Sequence, residues 1–346
     1  MLYYYALLYY NINLKQIKTM KKIHLISTLI GLLAFSTLAK ADLKVVTSIK
    51  PIHSLASYIM DGVGSPGLIV DGYNSPHNFQ LKPSHAKMLE QADIIFWVGE
   101  GLENFLEKPL DTIAKKAEKI ELLEIKGIKK LKFRERNIFE EHDDHGHDAK
   151  KEEHDDHGHD AKKEEHDDHD DHDDHDDHGH GEYDPHIWLD PINAKVILNE
   201  ITEHLIENDS KNAATYKSNF AKALAKIDKL IIDVITETNT DLSYVVFHDA
   251  YQYYENRFNV NILGAMTVNP DVMPGAEQIH EIHEIIEHDN VSCILSEPQF
   301  NPDIIKSIAK DTNVKTGVLD PLGANLKPGK DLYFDLIRNM SASFNC

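Results

Sequence analysis

"LSYVVFHDAY", residues 242–251, decides the fold. Its centre is a short apolar run with β-branched side chains and no charge before His248, and the pattern turns helical from Ala250. A run that short and that apolar reads as a strand buried on both faces, which requires helices packed on either side of its sheet. The same alternation continues downstream through a helix over 275–288, "VSCILSE" (291–297), a helix over 302–310, "KTGVLD" (315–320) and a helix over 331–343. It also precedes the stretch: "LKVVTSI" (43–49), a helix opened by Pro51, "GLIV" (67–70), a helix from Ser84, and "ADIIFWVGE" (92–100). Strands alternating with helices predict an α/β protein of two similar lobes with mainly parallel sheets.

Between the two series, residues 212–238 place Tyr216, Phe220, Leu224, Ile227, Leu230, Ile231 and Val234 at helical spacing with no internal Gly or Pro. At 1.5 Å per residue such a helix runs about 40 Å, enough to join two lobes. The expected organisation is an N-terminal lobe over 42–208, a linker helix over 209–239 and a C-terminal lobe over 240–346. Any ligand site should lie in the cleft between the lobes, because open α/β sheets collect ligands at the carboxyl ends of their strands.

The 346 residues are 41% hydrophobic and carry a formal net charge of -22. Residues 140–184 hold 22 acids against four lysines, so this window supplies -18 of that charge. An insert over 140–183 is responsible, in which "HDDHGHDAKKEE" occurs at 142–153 and again at 154–165, followed by four HDD triplets. With alanine as its main apolar residue it cannot offset its ordering entropy by burial, and disorder is expected without metal. The acidity repels phosphate and argues against nucleic acid as a partner. Its twelve histidines, His142, His145, His147, His154, His157, His159, His166, His169, His172, His175, His178 and His180, suit a borderline cation such as zinc. A floppy segment supplies many interchangeable weak sets, whereas a tight site needs ligands on rigid elements. The insert therefore reads as an accessory metal loop.

Residues 20–41 have the form of an export signal: Lys21 and Lys22, an apolar run, then Ala39-Lys40-Ala41 as a small-x-small cleavage site. Cleavage after Ala41 is expected, and residues 1–19 read as an over-extended start. Export to an oxidising compartment makes Cys293 and Cys346, the two cysteines of the chain, a candidate disulfide.

Four residues stand where strand or loop ends meet helices. His77 lies among turn residues after a strand, His186 just past the insert, His248 at the end of the opening strand, and Asp320 at the end of another. Three imidazoles and a carboxylate would make a tetrahedral site, although any one such histidine is commonly a surface or satisfied core residue. His53 and His85 stand on helices near the cleft, and Glu297 could orient a ligand or cap a helix. "HEIHEIIEH" (280–288) lacks the zinc-protease spacing, since residue 287 is Glu287, and reads as an exposed helix face.

Taken together, "SPHNFQLKPS" (75–84), "DPHIWLDP" (184–191), "FHDAYQYYE" (247–255), "SEPQFNP" (296–302) and "LDPLG" (319–323) resemble the substrate-binding component of zinc-uptake ABC transporters, within the metal-specific cluster of periplasmic binding proteins. The likeness runs through most of residues 43–346. It implies two α/β lobes joined by a long helix, metal in the cleft, His77, His186 and His248 as Zn2+ ligands, a Cys293–Cys346 bridge, and an inner-membrane ABC permease as partner. The fourth ligand is Asp320 or water. Manganese-type relatives carry a carboxylate where His248 stands, so a third imidazole favours zinc. A monomeric, non-enzymatic periplasmic zinc carrier is the expectation. The alternatives are manganese or other divalent-metal uptake, a secreted zinc hydrolase, and a metal buffer working through the loop alone.

Overall fold

The computed structural model describes residues 42–134, 136–139, 181–270 and 272–346. The expected leader, the start before it, and the insert over 140–180 with its twelve histidines lie outside the described residues. Among the described residues no helix is long and apolar enough to cross a membrane.

The first lobe is built from β1 (Val45–Ile49), α1 (Lys50–Ile59), β2 (Gly67–Val70), α2 (Pro83–Gln91), β3 (Ile94–Trp97), α3 (Glu100–Thr112) and β4 (Glu118–Glu121). Its strands lie in the order β2-β1-β3-β4, all parallel. After α4 (Pro191–Asn208) and α5 (Ala213–Glu237), the second lobe repeats the plan with β5 (Ser243–His248), α6 (Gln252–Phe258), β6 (Asn261–Thr267), α7 (Ala276–His288), β7 (Cys293–Ser296), α8 (Asp303–Thr312) and β8 (Lys315–Val318). The order is β6-β5-β7-β8, again all parallel, and α9 (Leu332–Ser343) closes the chain. β1, β3 and β5 are buried almost throughout, as helices on both faces require.

Reading the sequence missed three elements: α3, β4 and β6. β4 is the edge strand "EKIE", with one buried residue among charges, so it carries no apolar signal. β6 contains Gly264, normally unfavourable inside a strand. The structure supplies the reason: a Cβ at Gly264 would come within 2.7 Å of the Asn137 carbonyl oxygen. Residues 137–139 pair with the outer edge of β6, through Phe139 N–H to Leu263 O and Ala265 N–H to Asn137 O, both 2.8 Å. The glycine lets a segment from ahead of the insert cover an edge that would otherwise be open.

α5 spans 25 residues and buries Tyr216, Ala223, Ile227, Leu230 and Val234. It packs against α1, α4 and α9 rather than crossing open solvent. One hydrophobic cluster runs without a break from β1, β3 and α1 through Trp188 to Tyr251, Tyr253, Tyr333 and Phe334. At the seam Tyr333 OH donates to Trp188 O, Trp188 Nε1–H to Pro321 O (both 2.9 Å), and Tyr253 OH to Asp184 O at 2.8 Å. Each large apolar side chain withdrawn from water contributes roughly 1.5–3 kcal/mol. Exposing four of them would cost about as much as the whole stability of an ordinary domain. The lobes are therefore not free to swing apart as separate bodies.

Cys293, the first residue of β7, is bridged to Cys346 at the end of the chain, with Cα atoms 6.4 Å apart and a sequence separation of 53. Closing a loop of that length removes unfolded-state entropy equivalent to about 4 kcal/mol. Cys346→Ser is expected to lower the melting temperature by about 6 °C under oxidising conditions. A calorimetric scan with and without reductant checks this, since reductant should lower the native protein to the variant's value and leave the variant unchanged.

Candidate metal centre

His248 ends β5, and Glu297 follows β7, its neighbour in the sheet. Chain connections leave β5 and β7 in opposite directions at this point, which opens the crevice where such sheets bind ligands. Glu297 Oε1 lies 2.6 Å from His248 Nδ1, and both side chains are buried.

His186 is held from the other side. Ile187–Leu189 form a fully buried 3₁₀ turn, and Asp190 caps α4 by accepting from Ile192 N–H at 2.8 Å while Arg257 grips its carboxylate in a two-pronged pair, each contact 2.7 Å. Ahead of the turn, one oxygen of Asp184 faces both the His186 N–H (2.9 Å) and its Nδ1 (2.7 Å). His77 comes from the segment between β2 and α2 and is half-buried.

One nitrogen from each of His77, His186 and His248 lies within 4.8 Å of the others. The ring centroids are 5.3–5.6 Å apart, and the Nε2 atoms of His186 and His248 approach to 3.4 Å. Because Asp184 and Glu297 each occupy an Nδ1, both rings turn Nε2 into the same space. Fixing one ring nitrogen on a carboxylate so that the other faces an ion is how metal-binding histidines are oriented. The cavity between them is lined by Pro76, Trp188, Phe300 and Pro321 beside the histidines, and its free volume is about 10 Å³. That is room for one water or ion and not for an organic molecule.

Burial drives the His186 imidazole well below its ordinary pKa, so it is neutral and carries a lone pair at pH 7. Burial also pushes the Asp184 carboxyl up, to about 7. For His248, burial acts downward, but the charge and hydrogen bond of Glu297 outweigh it and its pKa is raised.

Asp320 does not join the three imidazoles. Its Oδ1 accepts from Leu322 N–H (3.1 Å), Gly323 N–H (2.9 Å) and Gln299 Nε2–H (3.0 Å), and its Oδ2 from Ala324 N–H at 2.6 Å. It fastens the turn after β8. Four donors already satisfy the carboxylate, so the structure departs here from the tetrahedral set of three imidazoles and one carboxylate. His85 accepts from Lys82 N–H at 3.2 Å at the start of α2, and His53 lies 3.4 Å from Ser57 Oγ; neither belongs to the group. Glu297 orients His248, whereas Asp184 went unrecognised although it stands two residues before His186, where an Asx-type return to the backbone is common. The α7 histidines sit as expected on a polar face, with Ile282, Ile285 and Ile286 turned inward.

A second convergence among the described residues joins Glu118, His204 and Glu207. His204 Nδ1 is 2.9 Å from Glu118 and its Nε2 3.1 Å from Glu200, so both nitrogens already face carboxylates, and the two acids of the group are exposed. A surface ion-pair network accounts for it.

The profile of the family described as zinc-uptake complex component A, periplasmic, matches residues 45–345. The high-affinity zinc uptake system protein ZnuA of Brucella abortus is 48% identical over 328 residues, which cover 94% of this chain and 98% of that protein. Among solved structures, one described as the crystal structure of ZnuA superposes with a TM-score of 0.66 at 21% identity, over 88% of this chain and 99% of that one. A Mn-bound periplasmic metal-binding protein of Candidatus Liberibacter asiaticus superposes with a TM-score of 0.64 at 20% identity, over 87% and 97%. At such identities the structural likeness speaks for the fold.

Proposed function

The chain belongs to the zinc-uptake complex component A family of periplasmic proteins, and from that premise we propose that it captures Zn2+ outside the inner membrane and delivers it to the permease of an ABC transporter. His77, His186 and His248 are the proposed ligands through one nitrogen each, with a water in the fourth position. The observation that carries the reading is the pair of buried imidazoles whose Nδ1 atoms are held by Asp184 and Glu297 and whose Nε2 atoms face each other at 3.4 Å.

Three imidazole donors without a converging carboxylate suit zinc better than manganese, which prefers oxygen donors. A cavity of about 10 Å³ favours a carrier over a zinc hydrolase, because catalysis needs space for a substrate beside the metal-bound water. Export through the segment ending at Ala41 would bring the chain to the compartment that gives its family its description. The twelve loop histidines would gather zinc in weaker, exchangeable sets.

The test is zinc stoichiometry and affinity by chelator competition, comparing the mature chain with one lacking residues 140–180. The expected result is one tight site in both and loss of the weak sites with the loop. Disappearance of the tight site would move the function to the loop and remove the imidazole centre from the account.

A further inference from the structure

His186 and His248 are each anchored by a buried carboxylate and are 3% exposed, whereas His77 is half-buried on twelve residues of chain, 71–82, that belong to no helix or strand. A continuous hydrophobic cluster ties the lobes together and also takes in Phe79 at the far end of this segment, so an ion leaves this centre most readily by displacement of the stretch around His77 ahead of Phe79. What holds that segment therefore governs exchange.

Two ties bear on the turn 320–326 of the other lobe, one from the segment itself and one from Lys50, which neighbours the segment's first residue, Asp71. Tyr73 OH donates to Asn325 Oδ1. Lys50, the first residue of α1, is 3% exposed and places its ammonium 2.6 Å from Gly323 O, 3.0 Å from Ala324 O and 2.7 Å from Leu326 O, with Asp71 Oδ1 at 3.8 Å. The turn is itself immobilised. Asp320 accepts three of its N–H groups, Tyr251 OH donates to Leu319 O at 3.3 Å, and Trp188 donates to Pro321 O at 2.9 Å. Pro321 and Leu322 of the same turn wall the metal cavity. A buried ammonium is costly unless fully satisfied, and here three carbonyls of the other lobe take its three N–H groups while the Asp71 carboxylate, 3.8 Å away, lies beside the charge. The charge thus joins the base of the His77 segment to a fixed point across the cleft.

We propose that Lys50 is a positioning residue for zinc exchange: together with Tyr73 it latches the His77 segment to the 320–326 turn and so sets how fast the metal leaves. The proposal rests on the imidazole centre being the zinc site. Lys50 touches neither the metal nor its ligands in this role; it acts through Asp71 and the turn.

The test is the rate of zinc release from the full mature chain, loaded with half an equivalent of zinc so that the tight site fills first, and mixed rapidly with excess chromogenic chelator. Lys50→Met should release zinc about tenfold faster than wild type, and Tyr73→Phe about fivefold faster, both with one tight zinc per chain. The double variant should be faster by less than the product of the two factors, because both ties restrain one segment. Lys50→Arg, which keeps the charge, should recover part of the slow release. A merely stabilising role would lower the melting temperature of the metal-free variants and leave the release rate alone. Should Lys50→Met fail to fold, Tyr73→Phe decides, since Tyr73 is exposed and its ring stays in place. Unchanged release in folded variants that keep one tight zinc would overturn the latch and leave the zinc-binding reading standing. A wild-type chain without a tight zinc would overturn both, and that shows before any variant is compared.

Discussion

Replacing His248 with alanine is expected to lower zinc affinity by about a thousandfold, since it removes one of three protein ligands from a binding free energy on the order of 12 kcal/mol. The chain should still fold, because His248 ends its strand and its neighbours Val246 and Tyr251 carry the packing there. Glu297→Gln keeps an acceptor near Nδ1 but loses the charge that holds the ring, and a loss of ten- to a hundredfold is the expected scale for such a partner. The ordering of the two effects is the informative part. It follows from one residue giving the lone pair and the other aiming it. Competition against a zinc chelator, with circular dichroism to verify folding, checks both, and a His248→Ala variant as tight as wild type would remove His248 from the ligand set.

Acidification is the second large effect. The His248 pKa is raised; burial pulls it down, but Glu297 more than compensates. As pH falls, His248 therefore takes up a proton earlier than an ordinary histidine, with Nδ1 directed to Glu297 and the proton on Nε2, where the ion would sit. Zinc affinity is accordingly complete above the folded-state pKa and declines below it by about tenfold per pH unit for each proton displaced. Between pH 7.5 and pH 5 the expected loss is about a hundredfold. His186, held neutral by burial, adds little in that window. The metal-free chain behaves in the opposite sense. Its imidazolium–Glu297 pair contributes stability that is fully present below the unfolded pKa of about 6.5 and is lost as pH rises through the raised folded value. The thermal stabilisation produced by zinc should therefore grow with pH. Affinity that stays level from pH 7.5 to pH 5 would contradict coordination by histidine.

Much of this was readable in the amino-acid order, and the residues show why. β5 announces itself because a strand buried on both faces is apolar through its middle, Tyr244 to Phe247, and the polar residue that ends it, His248, stands where such sheets bind ligands. The edge strand β4 was hidden by its exposure, and β6 by a glycine whose purpose depends on Asn137, more than a hundred residues earlier. The fourth position, read from the sequence as Asp320 or water, stayed open for a local reason. A carboxylate at a strand end looks the same in sequence whether it faces a cation or caps the following turn, yet "DPLG" with Gly323 at φ +71° has the composition of a turn that a side chain would cap. The link from Lys50 to residues 323–326 spans more than 270 positions and has no pattern of its own, so only the folded chain discloses it.

The central claim is that three histidines on separate segments, and not the acidic repeat, hold the zinc. X-ray absorption at the zinc edge on the chain lacking residues 140–180, loaded with one equivalent, tests it most directly. The account predicts a four-coordinate ion with three imidazole nitrogens at about 2.0–2.1 Å and one oxygen at a similar distance. A first shell with one imidazole or none, dominated by carboxylate oxygen, would contradict it.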